Sequence, residues 1–265
     1  MFSLEGKVTI VTGAGSGIGA AIAETFAKAS ALVYVADCNR ASGQETITRI
    51  ESHQGRAKLA VADVTREGEC QALVKRVLEE NNGRCDVLVN NAGVGHVGTI
   101  LTTEPGDLDR LWQVNLLGAY YLSRAVLPAM IERGAGSIVN IGSIAAITGM
   151  ESRFAYTITK HAILGLTRAM AMDHSGMGVR INCICPGRTQ TPFVEARLRE
   201  YADPQDYLKQ MVAPHAAKRM AQPSEIAAAA LFLAADESGF VTGSAFAVDG
   251  GYTGMALRQG LKLCY

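Results

Sequence analysis

The sequence lacks an excess of charge of either sign. Its 265 residues include 25 Lys and Arg against 25 Asp and Glu, so the formal net charge at pH 7 is zero. Proteins that bind nucleic acid or an anionic membrane surface normally carry excess positive charge, because that charge attracts phosphate over long distances. We therefore expect neither nucleic acid nor a membrane among the partners.

Long hydrophobic runs are also missing. The longest, residues 226–235, is far shorter than the ~18 apolar residues of a membrane-spanning helix. The first residues do not combine a basic segment with an apolar one, so no secretory signal is predicted. These features favour a soluble, cytoplasmic protein.

Cysteine is sparse and poorly spaced for binding a metal. The chain has 6 cysteines and no C-x-x-C pair, so the sequence predicts no zinc site. Cys183 and Cys185 alternate with isoleucines in a strand-like run, which is typical of small core residues. We expect reduced thiols and no metal.

The chain has the composition of a folded globular protein, with 48% hydrophobic and 19% charged residues. Its length allows one large α/β domain or two small ones. No linker-like stretch rich in Pro, Gly or Ser divides the sequence, and no internal repeat is found in it. We predict a single domain over residues 1–265.

Short β-branched runs alternate with longer segments of helical period, which is the pattern of repeated βαβ units. The strand-like runs are almost entirely apolar, as expected where helices cover both faces of a parallel sheet. The predicted fold class is α/β, with a doubly wound (Rossmann) parallel sheet. Seven strands are predicted, at residues 8–12, 32–37, 58–62, 87–90, 137–141, 180–185 and 245–248. Helices are predicted at residues 17–30, 41–53, 67–80, 104–133, 153–175 and 224–235.

Residues 191–223 interrupt this alternation. They contain Arg, Tyr and Pro, and they lie between the sixth predicted strand and the last predicted helix. Such an insertion lies at the carboxyl end of the sheet, where open α/β sheets bind ligands. We predict that residues 191–223 form a substrate lid.

The first predicted strand leads directly into a glycine-rich turn, Gly13-Ala14-Gly15-Ser16-Gly17-Ile18-Gly19, and then into a helix. Glycine lets a backbone turn sharply and approach a phosphate, and the first N–H groups of the helix bind its charge. The spacing differs from the G-x-G-x-x-G fingerprint, and a tight structural turn would also explain the glycines. Their place after the first strand favours a pyrophosphate site.

Asp37 ends the second predicted strand, 24 residues beyond Gly13. This is close to the ~20 residues at which a carboxylate would accept hydrogen bonds from an adenosine ribose. The same carboxylate would repel the 2′-phosphate of NADP, and Ser16 adds no compensating cation. The sequence therefore predicts NAD as the cofactor. The alternative is that Asp37 is only a solvated turn residue.

Tyr156 and Lys160 are four residues apart in a predicted helix and so share one face of it. A phenol is a poor base at neutral pH, but a nearby ammonium stabilises the phenolate. Ser143, after the fifth predicted strand, adds a hydroxyl that can stabilise an oxygen on which charge develops. Taken singly, Ser143 could be a cap and Lys160 a solvated charge. Their position near the expected nicotinamide end of a dinucleotide favours a catalytic role.

Several motifs together resemble those of the short-chain dehydrogenase/reductase family, in the family's order and at its usual separations. They are residues 12–19, Asn90-Asn91-Ala92-Gly93, Asn115, Ser143, Tyr156-x-x-x-Lys160 and Pro186-Gly187, and they span almost the whole chain. The resemblance implies a doubly wound sheet of seven parallel strands and nicotinamide-dependent hydride transfer. It also implies a homotetramer or a dimer.

The resemblance implies a role for each matching residue. Tyr156 would be the acid/base, and Ser143 would position the substrate oxygen. Lys160 would hold the nicotinamide ribose, and Asn115 would order a water in a proton relay. With Tyr156 and Lys160, the cofactor contacts would be Gly13, Ser16, Gly17, Ile18, Gly19, Asp37, Asp63, Val64, Asn91, Ala92, Gly93, Pro186, Gly187, Thr189 and Thr191.

The resemblance leaves the substrate open. By position, His96, Met150, Arg188 and Phe193 are candidates for the substrate pocket. The guanidinium of Arg188 could clamp a carboxylate or bind hydroxyls, or it could lie on the surface. His96 could bind substrate or be an ordinary loop histidine. We expect a polyol, a sugar or a sugar acid, with a compact apolar alcohol as the alternative.

These inferences predict an NAD-dependent enzyme that interconverts a secondary alcohol and a ketone, with no metal. Two other functions remain open. One is an NADPH-dependent 3-oxoacyl-type ketoreductase acting on carrier-bound groups, against which Ser16 and Asp37 argue. The other is a catalytically silent nucleotide-sensing module, which is disfavoured because the catalytic positions are occupied.

Overall fold

The computed structural model describes residues 2–192, 194–195 and 203–254. Within these residues, seven strands form one sheet in the order β3-β2-β1-β4-β5-β6-β7, and all neighbouring strands are parallel. The strands are β1 (Val8–Thr12), β2 (Leu32–Asp37), β3 (Arg56–Val61), β4 (Val87–Asn90), β5 (Gly136–Ile141), β6 (Val179–Pro186) and β7 (Ala245–Val248). The predicted doubly wound α/β class is confirmed.

Apolar side chains on both sides of the strands explain the layered arrangement. In β1, Val11 packs in the layer that contains Ile22 and Ala230, whereas Ile10 packs in the opposite layer with Val126. The helices are α1 (Gly17–Lys28), α2 (Arg40–Ser52), α3 (Glu67–Glu80), α4 (Pro105–Trp112), α5 (Gly118–Glu132), α6 (Phe154–His174), α7 (Pro204–Val212) and α8 (Pro223–Ala234). Helices α1, α2 and α8 cover one face, and α3 and α5 cover the other.

The strand order reverses between β1 and β4. From β1 the chain runs outward through β2 and β3, then returns to form β4 on the other side of β1. The carboxyl ends of β1 and β4 therefore flank the crevice at which doubly wound sheets bind ligands. This topology brings the turn after β1 next to the residues that follow β4 and β5.

The single long helix predicted at residues 104–133 is divided in the structure. A π-helical segment, Gln113–Leu117, separates α4 from α5 and contains Asn115. The wider turn is a local insertion of the kind often found at functional sites. Apolar periodicity does not reveal it, because the helical run continues on both sides.

The run Pro105–Glu132 is long and apolar enough, by length and composition alone, to cross a membrane. In the structure Leu122, Val126 and Met130 of this run are buried in the layer beneath the sheet. These residues of α5 therefore belong to the core of the fold.

The predicted lid, residues 191–223, contains α7 in its described part. Asp203 begins this helix by accepting bonds at Oδ1 from the N–H groups of Gln205 and Asp206, each at 3.0 Å. Thr189 pairs with Ala221 through a short parallel bridge, so the two ends of the segment meet beside β6.

Candidate active site

A cleft of about 530 Å³ lies over the carboxyl ends of the strands. Its wall takes residues from the ends of six neighbouring strands, in keeping with the site that the topology predicts. These residues are Gly13 after β1, Asp37 in β2, Asp63 after β3, Asn91 after β4, Ser143 after β5 and Gly187 after β6. The cleft thus brings together residues spread over most of the chain.

The glycine turn packs closely against the loop that follows β4. Gly13 has a φ of +60°, and a Cβ there would lie 2.9 Å from the Cα of Ala92. Asn91 donates from Nδ2 to the carbonyl oxygens of Thr12, at 2.8 Å, and Gly13, at 3.2 Å. Gly19 packs behind the turn, where a Cβ would overlap the carbonyl oxygen of Gly13. The described cleft wall includes Gly13, Gly17 and Ile18, whereas Gly19 serves the packing of the turn.

The amino terminus of α1 points to the same turn. Ser16 is the residue before the helix, and within the described residues its side chain caps no helical N–H group. Ser16, Gly17 and Ile18 all line the cleft. Uncapped N–H groups and the helix dipole together suit a pyrophosphate.

Asp37 is held at the edge of this turn by backbone amides. Its Oδ2 accepts a 2.9 Å bond from Gly15 N, and its Oδ1 accepts a 2.8 Å bond from Asn39 N. A Cβ at Gly15 would lie 2.8 Å from Asp37 Oδ2, so a larger residue there would force the carboxylate to shift. The carboxylate is therefore fixed in the cleft wall, where it can accept bonds from ribose hydroxyls.

Asp63 and Val64 line the next part of the cleft. The backbone and side chain of Thr65 both donate to Asp63 Oδ1, at 3.0 and 2.8 Å. These hydrogen bonds lower the pKa of the Asp63 carboxyl. Val64 packs on Gly118. A Cβ added at Gly118 would lie 2.8 Å from the Cβ of Val64.

Ser143, Tyr156 and Lys160 line the other end of the cleft. Lys160, only 5% exposed, donates from Nζ to the carbonyl oxygen of Ile141 at 2.8 Å, and this Nζ lies 5.6 Å from the centroid of the Tyr156 ring. Ser143 Oγ accepts a 3.1 Å bond from Ala145 N, which fixes its side chain at the end of β5. A phenol, an ammonium and a hydroxyl are thereby brought together, as the sequence predicts.

Asn115 lies beside this end of the cleft. Its Oδ1 accepts from Val94 N at 2.8 Å, and its Nδ2 donates to Val94 O at 3.0 Å and to Thr159 Oγ1 at 3.1 Å. A Cβ at Gly93 would lie 3.3 Å from Asn115 Oδ1. The π-helical segment thus ties the loop after β4 to α6.

The turn after β6 completes the wall. Pro186, Gly187, Thr189 and Thr191, which the sequence predicts as cofactor contacts, all line the cleft. His215, which was not predicted from the sequence, accepts at Nε2 a 3.2 Å bond from the N–H of Arg188. Burial and the nearby Arg188 lower the pKa of His215. No motif marks this histidine, because its contact joins two distant parts of the chain.

The four substrate candidates have different positions. Met150 and Arg188 line the cleft. His96 is not among the described residues that line the cleft, and its Nε2 lies 3.3 Å from Asp107 Oδ2. Phe193 is outside the described residues.

The structure adds Arg153 to the candidates. It lines the cleft, precedes the first residue of α6 and donates from Nη1 to the carbonyl oxygen of His96 at 3.1 Å. Its place three residues before Tyr156 could have revealed it, because such residues are neighbours on a helix surface.

Comparisons with known proteins agree with this architecture. A family model described as enoyl-(acyl carrier protein) reductase matches residues 13–253. An uncharacterised oxidoreductase of Thermotoga maritima is 41% identical over 95% of this chain and 99% of its own length. Dehydrogenase/reductase SDR family member 6 of Xenopus laevis is 37% identical over 96% of this chain and 100% of its own length.

The solved structures give a similar result. The crystal structure of a provisionally assigned NAD(P)-dependent gluconate 5-dehydrogenase from Beutenbergia cavernae superposes with a TM-score of 0.89 and 35% identity. The match covers 96% of this chain and 99% of that one, and that crystal structure holds NADP at low occupancy.

Proposed function

Because this chain belongs to the short-chain dehydrogenase/reductase family, we propose that it is an NAD-dependent dehydrogenase interconverting a secondary alcohol and a ketone. Family membership makes it an oxidoreductase with a nicotinamide cofactor. The preference for NAD and the identity of the substrate are the proposed parts. The observation that carries the proposal is one cleft with a glycine turn and Asp37 at one end and Ser143, Tyr156 and Lys160 at the other.

The residues of the cleft fit a nicotinamide dinucleotide, which supplies the hydride donor or acceptor when bound. The glycine turn and the start of α1 would hold the pyrophosphate, because both line the cleft and no Ser16 side-chain cap occupies the first N–H groups of α1. Asp37 would bind the adenosine ribose, and Asp63 and Val64 would line the adenine. Lys160 would bind the nicotinamide ribose. The remaining wall contacts would come from Asn91, Ala92, Gly93, Pro186, Gly187, Thr189 and Thr191.

Tyr156 would move the proton. In alcohol oxidation the phenolate takes the hydroxyl proton of the substrate while the hydride leaves the carbinol carbon; in reduction the phenol returns the proton to the oxygen. Ser143 would donate a hydrogen bond to the same oxygen. The Lys160 ammonium would stabilise the phenolate, since opposite charges favour the ionised form. Asn115, fixed by three hydrogen bonds, would hold a water between the site and solvent.

The choice of NAD is supported by the fixed Asp37 carboxylate, which would face the 2′-phosphate of NADP. The Beutenbergia cavernae structure, with bound NADP, favours a second candidate function. That candidate is an NADPH-dependent ketoreductase of the 3-oxoacyl type, in keeping with the carrier-protein reductase description of the family model. The ratio of kcat/KM for NADH and NADPH separates the two, and we expect it to favour NADH.

The proposed substrate is a small polar alcohol: a polyol, a sugar or a sugar acid. Support comes from the mixed polarity of the wall, with Arg188 beside Met150, and from the gluconate dehydrogenase assignment of the structural neighbour. A panel of polyols, sugars, hydroxy acids and apolar alcohols with NAD, followed by the absorbance of NADH, tests the proposal. Tight NADH binding without turnover of any panel member would contradict it and favour a nucleotide-sensing module.

We also propose a homotetramer or dimer in the cytoplasm. Strand β7 is a sheet edge with half-exposed residues, and the rings of Phe232 and Phe246 pack beside it with centroids 6.0 Å apart. A partner subunit would cover such an edge. Light scattering on the purified protein measures its mass, and a monomer would contradict this part of the proposal.

A further inference from the structure

The charged residues of the cleft are separated by sign. In the part of the chain that the structure describes, the cleft is lined by two acidic residues, Asp37 and Asp63, and three basic ones, Arg153, Lys160 and Arg188. The acids belong to β2 and to the turn after β3, on one side of β1, whereas β5 and β6 lie on the other side. The proposed adenine end of the cleft is therefore acidic, and the reactive end is basic.

One of the three cations has a role in the proposed chemistry. Lys160 is buried and bound to the carbonyl oxygen of Ile141, next to the Tyr156 ring. The other two, Arg153 and Arg188, have no part in moving the proton. Both arginines lie at the reactive end of the cleft and not at the pyrophosphate turn. They are therefore candidates for binding the substrate.

Arg153 precedes Tyr156 and Lys160 on nearly the same face of the helix and lies nearer the protein surface than Lys160. It precedes Tyr156 by three residues, which corresponds to a rise of ~4.5 Å along a helix on nearly the same face. Lys160 is buried, whereas Arg153 is half-buried. A substrate whose oxygen is held by Tyr156 would extend past Arg153 on its way to the mouth of the cleft.

The guanidinium of Arg153 is held in place. Its Nη1 donates to His96 O at 3.1 Å, and the backbone on both sides is tied to Gly98 by bonds from Gly98 N to Ser152 O and from Phe154 N to Gly98 O, each at 3.0 Å. His96, in turn, contacts Asp107. A positioned guanidinium loses little freedom when it binds a ligand.

Arg188 lines the same cleft from another part of the chain. It belongs to the turn after β6, and its backbone N–H is bound by His215. Planar guanidinium groups match the two oxygens of a carboxylate, whereas a neutral hydroxyl gains much less from them. Two guanidinium groups that line one cleft favour the binding of an anion there.

We propose that Arg153, together with Arg188, binds the carboxylate of the substrate, so that the enzyme acts on short hydroxy acids and the matching keto acids. The carboxylate would lie about one helical turn from the oxygen bound by Tyr156 and Ser143. This inference rests on the proposed dehydrogenase function of the same cleft and adds the substrate class and the residue that selects it.

The test compares short hydroxy acids with their amides, which keep the shape and lose the charge. We expect the native enzyme to have a kcat/KM at least ~10-fold higher for the acid, as estimated for charged hydrogen bonds. Arg153→Met should raise KM for the acids about 10- to 100-fold and change kcat/KM for the amides less than about 3-fold. Arg153→Lys should restore part of the difference. Arg168→Met, at an exposed position on the same helix, is the matched control and should leave both unchanged.

Two results would overturn the inference while leaving the dehydrogenase function intact: equal kcat/KM for acid and amide, or equal losses for both in Arg153→Met. The affinity for NADH reports on folding and should be unchanged in this variant. Calorimetric titration of malonate into the NADH complex tests the anion site without turnover. Binding that is lost in Arg153→Met supports the site, and the absence of binding to the native protein overturns it. Turnover of neutral polyols, sugars or apolar alcohols, but of neither the acids nor their amides, would also overturn the inference, whereas no turnover of any alcohol would contradict the proposed function.

Discussion

Lys160 Nζ donates a 2.8 Å hydrogen bond to the carbonyl oxygen of Ile141, the last residue of β5. This bond fixes α6 to the sheet at the end where the cleft opens. The same Nζ lies 5.6 Å from the Tyr156 ring centroid. One ammonium therefore connects the sheet, the phenol and the expected position of the nicotinamide ribose.

The first prediction separates proton transfer from cofactor binding. Tyr156→Phe removes the hydroxyl that exchanges the proton and should lower kcat about 10²- to 10⁴-fold, the usual contribution of a general acid/base. The Kd for NADH, measured by fluorescence titration, should change little. Lys160→Met should lower kcat and also weaken NADH binding, because it removes the charge and the proposed ribose contact. A Tyr156→Phe enzyme with native kcat would exclude Tyr156 as the acid/base.

Asp37 gives a second prediction, on cofactor choice. Asp37→Ala removes the carboxylate that would bind the ribose hydroxyls and repel a 2′-phosphate, so the preference for NADH over NADPH should fall at least about tenfold. The measurement is kcat/KM for each cofactor at constant ionic strength. Asp37 also accepts a bond from Gly15 N, so melting temperatures of the variant and native enzyme serve as the control for loss of the turn. An unchanged ratio would mean that Asp37 does not select the cofactor.

Asp86 gives a prediction on stability. It is 7% exposed and accepts bonds from Val8 N at 2.8 Å, from Arg133 Nη1 at 2.9 Å and from Arg84 Nη2 at 3.1 Å. Burial opposes ionisation, but these bonds outweigh it and lower the pKa of Asp86. Asp86→Asn should reduce the free energy of unfolding by roughly 2–3 kcal/mol at pH 7, as measured in urea.

The pH dependence of this contribution follows from the direction of the shift. A carboxyl with a lowered pKa in the fold stabilises the protein fully above its unfolded pKa of ~3.9 and loses that contribution as the pH falls through the folded value. The difference between the native protein and Asp86→Asn should therefore shrink in acid. Asp236→Asn is the control, because Asp236 pairs with Lys7 at an exposed position and should contribute less than ~1 kcal/mol. A constant difference at all pH values would contradict the assignment.

The sheet could be predicted from the sequence because its strands are buried by helices on both faces. Apolar runs such as Val87–Asn90 stand out clearly and match the structure. Strand β3 begins two residues earlier than predicted, at Arg56, because the backbone of Arg56 pairs with Leu32 although its side chain is polar and exposed. Pairing needs only backbone groups, so side-chain patterns locate the middle of a strand better than its ends.

The candidate site was predictable where a motif carries the chemistry and less so where tertiary contacts do. The glycine turn, Asp37, Ser143, Tyr156 and Lys160 all line the cleft. His96 was a candidate from its position, but its ring pairs with Asp107 and only its carbonyl oxygen meets Arg153. His215 was missed because its contact with Arg188 joins separate segments of the chain, which a local pattern does not record, whereas Arg153 could have been found from its spacing to Tyr156.

His215 leads to the last prediction, on the pH dependence of activity. It is 2% exposed, and its pKa is lowered from 6.5 by burial and by Arg188, so the ring is neutral at pH 7 and Nε2 can accept the N–H of Arg188. As the pH falls below ~6.5 and through the lowered folded value, the ring gains a proton, loses this acceptor and places a second positive charge near Arg188. We expect KM for the cofactor to rise on the acid side, together with a loss of stability. His215→Gln offers an amide oxygen as acceptor and does not titrate, so its profile of KM between about pH 5.5 and 8 should be flatter than that of the native enzyme. His215→Ala should have a raised KM for the cofactor at every pH, because the turn after β6 then lacks the acceptor that anchors it. If the KM profile of His215→Gln is identical to that of the native enzyme, another group causes the rise in KM at acid pH.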